Sequence, residues 1–222
     1  MESLLGKCIH IEGPDFSGKS KLVKRLCDFF AEKGIEVDHR FQPGSTDLGK
    51  ECRRLIFDMP FSKSMDLMAE RMLFTVDHAD FVFDVARNAK SKRSLIICDR
   101  YNPMSNLIYG HYGNGINMWQ IKKLNDLAMR GVKPDLIILL DITEDTMISR
   151  MNKRLEANEN INKLDLESLD FKRRILKGYK DILYFMKDHA NIIREINANG
   201  TEEEVFDLAL DVIYKRFDIK ED

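Results

Sequence analysis

This chain has no apolar run approaching the ~20 residues that a membrane-spanning helix needs, so no membrane partner is expected. It also lacks an excess of basic residues. Thirty-five Lys and Arg stand against 37 Asp and Glu, a formal net charge of −2. Without a basic stripe to neutralise phosphates, duplex nucleic acid is excluded as an expected partner. The opening Met1-Glu2-Ser3-Leu4-Leu5 has no basic stretch of the kind that begins a signal peptide, and none is expected. The four cysteines, Cys8, Cys27, Cys52 and Cys98, show no C-x-x-C spacing. Three of them sit in apolar strand or helix patterns. The expectation is buried free thiols in a reducing cytoplasm, not a disulfide framework or a zinc site.

What is present is more specific. Gly13-Pro14-Asp15-Phe16-Ser17-Gly18-Lys19-Ser20 fits G-x-x-x-x-G-K-[ST]. In such a loop the glycines let backbone N–H groups turn inward around phosphate oxygens. Lys19 then adds a point charge on the outer phosphates, and the Ser20 hydroxyl is placed to ligate Mg²⁺. Cys8–Ile11 before the loop reads as a short buried strand. Residues 18–33 after it put Leu22, Val23, Leu26, Cys27, Phe29 and Phe30 on one helical face, closed by Gly34. A helix starting there adds the positive end of its dipole. Residues 13, 15–21 are therefore the expected cradle for the phosphates of a nucleoside polyphosphate: Gly13, Asp15, Phe16, Ser17, Gly18, Lys19, Ser20 and Lys21.

The rest of the chain alternates. Cys8–Ile11, Leu95–Cys98 and Leu136–Leu140 read as buried parallel strands, with weaker runs at Ile35–Phe41 and Asn191–Ile196. Helical patterns fall at about 18–33, 64–90, 116–130, 143–156, 168–188 and 201–217. Such βα alternation predicts an α/β fold with a mainly parallel five-stranded sheet and helices on both faces. Ligands then sit beyond the carboxyl ends of the strands. One of those ends is Asp99-Arg100, where Asp99 is the expected Mg²⁺-facing acid and Arg100 an expected clamp on the transferring phosphoryl. Asp141, ending the 136–140 run, has no adjacent cation and precedes a helix-start pattern, so it reads as a structural acid. Asn162-Lys163-Leu164-Asp165 has the form of the guanine-reading N-K-x-D, but no strand precedes it. The single D-x-x-G lies inside the phosphate loop itself, so a GTPase switch is not expected.

Taken together, these motifs resemble the thymidylate kinases. Ile11-Glu12-Gly13 with Asp15 in the loop is similar to the family's E-G-x-D-x-x-G-K-[ST]. Pro43-Gly44-Ser45-Thr46-Asp47-Leu48-Gly49 followed by Arg53 is similar to P-G-G-T-x-x-G and its arginine. Ala69-Glu70 through Leu73-Phe74 and Asp77 resembles A-E-x-x-L-F-x-x-D-R, and Asp99-Arg100-Tyr101 resembles D-R-[YFH]. Pro134-Asp135-Leu136 to Asp141 resembles the P-D-L strand, and 162–171 with Arg174 and Gly178-Tyr179 resembles the lid-to-helix segment. The resemblance spans nearly the whole chain. It implies one domain over 1–222, a P-loop NTPase three-layer sandwich with a lid near 150–166. The implied reaction is phosphoryl transfer from ATP-Mg²⁺ to dTMP, and the implied assembly is a homodimer through long helices such as 64–90. By resemblance Arg53 holds the acceptor phosphate, Asp15 the sugar, and Phe74 stacks on the base. Arg100, Ser105 and Tyr109 line the same site. The phosphate loop has no arginine, so the catalytic positive charge is expected from the lid region, where Arg150, Lys153, Arg154 and Lys163 lie.

The departures gather at the acceptor side. Phe41-Gln42 stands where the family has Arg-Glu, which removes a carboxylate that Glu12 or Asp141 would have to replace. His78 stands for the base-reading arginine and is expected to donate one hydrogen bond to the base. Gly110 replaces a glutamine, and one extra residue falls between Tyr101 and Ser105. Two rival readings stay open at this point: a kinase of a nucleoside or another deoxynucleotide, and a nucleotide-binding module without turnover.

Overall fold

The structure, a computed structural model, describes residues 1–86, 93–157, 164 and 166–220. Five strands form one sheet: β1 Cys8–Glu12, β2 Val37–Phe41, β3 Leu95–Asp99, β4 Leu136–Asp141 and β5 Ile193–Asn197. Their order is β2-β3-β1-β4-β5, and every pairing is parallel. The expected mainly parallel sheet is thus wholly parallel among the described residues.

Period-two alternation divides each central strand between two layers. Ile9, Ile11, Leu95, Ile97, Leu136, Ile138 and Leu140 pack on one face with α1 Lys19–Glu32 and α8 Glu202–Phe217. Cys8, Ile96, Cys98, Ile137 and Leu139 face the other way. There they meet α3 Leu67–Asp84, α4 Asn102–Ile108, α5 Met118–Met129 and α7 Leu169–Phe185. The central strands are apolar on both sides because helices cover both sides. β2, at the edge, is only half-buried, which is why its apolar signal is weak.

Helix ends follow local chemistry. Asp66 accepts from the N–H groups of Met68 and Ala69, so α3 begins there. Thr143, Ser168 and Thr201 cap α6 Glu144–Glu156, α7 and α8. Two helices go beyond the expected set. α2 Asp47–Phe57 starts at the Thr46 cap and buries Gly49, Cys52 and Ile56. α4 has proline in its first turn, where the missing N–H costs nothing. Both hang directly from strand ends and line the cleft there.

Candidate active site

The phosphate loop joins β1 to α1 at the centre of the sheet. Gly13 has φ +154°, and a Cβ there would lie 2.9 Å from the Leu140 carbonyl oxygen. Gly18, with φ +93°, is the residue before α1. Neither position suits a side chain. Lys19 is buried, and its Nζ donates to the carbonyls of Gly13 at 2.9 Å and Pro14 at 2.7 Å. Burial, then the neighbouring Arg100, brings the lysine down to about 8. The loop thus holds its own cation at the mouth of the phosphate cradle.

β3 runs beside β1, so its end meets the loop. Ser20 Oγ donates to Asp99 Oδ2 at 2.5 Å. Arg100 adopts φ +75°, unusual for a side-chain-bearing residue, while its N–H donates to the Ile11 carbonyl at 2.9 Å. This twist aims the guanidinium at Asp15, with which it pairs. The Tyr109 hydroxyl donates to the other Asp15 oxygen at 2.6 Å. Burial opposes the Asp15 charge, but Arg100, Lys19 and Tyr109 together hold its carboxyl below the usual range. Arg100 itself stays charged despite burial, because Tyr109, Asp15, Tyr179 and Glu12 surround it.

Beneath these groups lies the acid that was one of two candidates to replace the missing carboxylate. Glu12 is fully buried. Its carboxylate accepts from the Gly13 N–H (2.9 Å), the Tyr101 N–H (2.6 Å), Ser105 Oγ (2.8 Å) and Tyr179 Oη (2.7 Å). Four donors from four segments fasten the loop to β3, α4 and α7. Glu12 therefore does not replace the missing metal-side carboxylate. The sequence signal was an acid ending an apolar strand. Asp141 is not among the cleft-lining groups; Asp99 is.

All of this opens into one cleft of about 1240 Å³. On its β5 side, Arg150 donates to the carbonyls of Phe16 (3.3 Å), Ser17 (3.1 Å), Ala198 (2.8 Å) and Gly200 (3.1 Å). It ties the phosphate loop to the turn before α8. Arg154, one turn later on α6, stands 5.9 Å from the Phe16 ring centroid. Lys153 also lines the cleft, and Lys21, at its rim, pairs with Glu202 at 2.6 Å. Lys163, Asn162 and Asp165 lie outside the described residues, as does the rest of 158–163 in the expected lid.

On the β2 side, Arg53 donates to the Pro43 carbonyl at 3.2 Å and lies 5.2 Å from the Phe57 ring. Phe74 meets Phe57 edge-on at 6.2 Å. Ser105, Asn106 and Tyr109 complete this wall. Asn106 donates to Asn125 Oδ1 at 3.0 Å, while its own buried Oδ1 has no partner among the described residues. His78 is elsewhere. It is buried one turn after Phe74, where its Nδ1 meets Gln42 Nε2 at 3.0 Å and its ring stacks on Phe81. It faces a small interior pocket with Cys8, His10 and Tyr101, not the cleft. Burial, with His10 beside it, brings it down to about 3. The expectation that His78 meets the base is corrected by this placement. Gln42, at the position of the family's glutamate, holds the inward-facing ring at that contact, and it also accepts from the Asn102 N–H at 3.3 Å.

A phosphate loop with its lysine, an Asp-Arg strand end and an aromatic wall share one cleft. The family model described as thymidylate kinase matches residues 11–208. The chain belongs to the thymidylate kinase family. Thymidylate kinase of Caldicellulosiruptor saccharolyticus is 33% identical over 208 residues, covering 94% of this chain and 96% of that protein. That of Clostridium novyi is 31% identical over 202 residues, covering 91% and 95%. That of Maridesulfovibrio salexigens is 33% identical over 201 residues, covering 89% and 90%. The matched range includes both walls of the cleft of this thymidylate kinase family member.

Proposed function

We propose that this chain carries out the family reaction, passing the γ-phosphoryl of ATP to the phosphate of dTMP to give dTDP and ADP. An oxygen of the dTMP phosphate forms the new bond to the γ-phosphorus, and the bond to the β-phosphate bridging oxygen breaks. The observation that supports this most is the convergence of Lys19, Ser20, Asp99 and the Asp15–Arg100 pair on one cleft.

Lys19 and the loop N–H groups hold the β- and γ-phosphates. Arg100, pre-aimed by its backbone, lies between donor and acceptor phosphates and offsets the charge that spreads over the transferring group. Arg53 holds the acceptor phosphate, Asp15 the sugar hydroxyl, and Phe74 the base face. Asn106 Oδ1 is an acceptor for the base edge. Ser105 positions Glu12, and Tyr109 positions Asp15. Ser20 and Asp99 fit Mg²⁺. No group of three His, Cys, Asp or Glu side chains that could hold a metal occurs among the described residues, but one hydroxyl and one carboxylate in contact match an ion that keeps waters and substrate phosphates in its shell. Held by Ser20 and Asp99, Mg²⁺ would supply positive charge against the phosphates of the donor.

Two broader assignments accompany this reading. All four cysteines are free thiols, which fits the cytoplasm. Met72, Val76 and Phe83 of α3 and Trp119 and Leu127 of α5 form an exposed apolar face, and we assign it to a second copy of the chain in a homodimer. The activity test is ADP release from ATP with each common ribo- and deoxynucleoside monophosphate. dTMP is expected to rank first, and Lys19→Ala is expected to cut that turnover by at least ~10²–10³-fold. A purine monophosphate ranking first, or a Lys19→Ala enzyme with normal turnover, would overturn the assignment.

A further inference from the structure

Arg71, three residues before Phe74 on α3, is 2% exposed. Arginine is seldom so buried unless it is paired. Here it pairs with Glu70. Burial presses against its charge, while the Glu70 carboxylate supports it. Its guanidinium carbon lies 4.5 Å from the Phe74 ring centroid, and the side chain lines the cleft. Its Nε is buried and has no partner among the described residues. The molecule leaves an unsatisfied donor beside the ring assigned to the base.

The room for Arg71 comes from Gly110. A Cβ on that glycine would lie 3.0 Å from Arg71 Cδ and 2.4 Å from Ile121 Cδ1. A side chain at 110 would crowd Arg71 and Ile121, so glycine there leaves the Arg71 side chain in this position undisturbed. The two departures noted in the sequence now connect. His78 has turned away from the cleft, and Gly110 has made way for a guanidinium that enters it from the preceding turn of the same helix.

We propose that Arg71, held in place by Glu70, selects the base by donating to the C4 carbonyl of thymine. The inference rests on the dTMP reading above, with Phe74 as the stacking surface. The guanidinium lies over the Phe74 ring, 4.5 Å from its centroid, and both side chains line the cleft, so a base seated against this wall comes within reach of its donors. Guanidinium offers donors and no acceptor. Thymine and uracil present a carbonyl at C4, whereas cytosine presents an amino group, itself a donor. Asn106 Oδ1 complements this, because an acceptor suits the N3–H of thymine and opposes the bare N3 of cytosine. Cytosine would set donor against donor and acceptor against acceptor in a closed site, the arrangement that rejects a wrong substrate most strongly.

The test measures kcat/KM for dTMP, dUMP and dCMP in the wild type, Arg71→Met and Arg71→Lys. Lysine keeps a positive charge opposite Glu70, so that variant guards against a general loss of fold, but it lacks the guanidinium fork. The wild type is expected to favour both carbonyl-bearing acceptors over dCMP. Each variant is expected to lose at least ~10-fold of the dTMP-to-dCMP ratio, mainly through a higher KM for dTMP with KM for ATP little changed. Methionine should lose more than lysine. An unchanged ratio in both variants would overturn the role of Arg71 and leave dTMP kinase activity standing. A wild type that favours purine monophosphates would instead overturn the reading beneath it.

Discussion

Two histidines packed beneath the cleft make the fold acid-sensitive. His10 contacts the Arg100 carbonyl at 2.8 Å and Cys8 Sγ at 3.4 Å, between the rings of Phe81 and Tyr101. Burial brings it down to about 4, although the Arg100 carbonyl works the other way. His78 falls to about 3. The unfolded chain takes up both protons near pH 6.5, while the native state refuses them until much lower. The unfolded state thus binds more protons in that window, so the stability these rings confer is complete above pH 6.5 and is lost as pH falls toward 4 and 3. At ~1.4 kcal/mol per pH unit, the effect is of the order of a few kcal/mol for each ring. Asp77, raised to about 6 chiefly by burial, partly offsets this, since its native form gains the proton first. Urea unfolding at pH 7.5, 6 and 5 should show stability falling with pH, and His78→Gln should flatten the fall by about one proton. An unchanged slope would place the acid sensitivity elsewhere. These residues were not legible as a group, because a histidine in a strand and one in a helix carry no sign of sharing a pocket. Arg71 was hidden for a related reason: a charge beside Glu70 reads as solvated helix surface until Phe74 and Gly110 are placed around it.

Among the elements, α6 separates two arginines that the sequence could not tell apart. Arg150 makes four donations to backbone carbonyls and joins the phosphate loop to the turn before α8. Arg154 stands beside the Phe16 ring at the cleft. Arg150→Ala should therefore loosen the loop, raise KM for ATP and lower the melting temperature by a few degrees. Arg154→Ala should lower kcat by ~10²-fold while KM for ATP changes by less than about threefold, as expected of a charge that acts on the transferring group. The opposite pattern in the two variants would exchange their roles. The strands were readable because helices bury both faces of the three inner ones, which makes them continuous apolar runs. α2 and α4 were not. α2 buries just Gly49, Cys52 and Ile56 of its 11 residues, too few for a period to show. α4 is short and buried throughout, which erases the contrast between faces that marks a helix.

For the whole molecule, the apolar face on α3 and α5 sets the expectation that two copies associate. Leu127 is 74% exposed and Trp119 68%, unusual for side chains of that size on packed helices. Sedimentation should find a dimer, and Val76→Asp with Leu127→Asp should give a folded monomer; a wild type that sediments as a monomer would remove the assignment. The sheet order has a consequence for how such a molecule diversifies. β2 and β5 are its opposite borders. Phe41, Gln42 and Arg53 approach the cleft from the first border, and Arg150, Gly200 and Thr201 from the second. On the proposed assignment, the nucleotide to be charged would be recognised from one flank of the sheet and the nucleotide that charges it from the other, meeting at β1 and β3. Phe41 and Gln42, two of the departures from the family pattern, fall on the β2 flank. One flank can be rewritten for a new acceptor while the other goes on handling ATP unchanged.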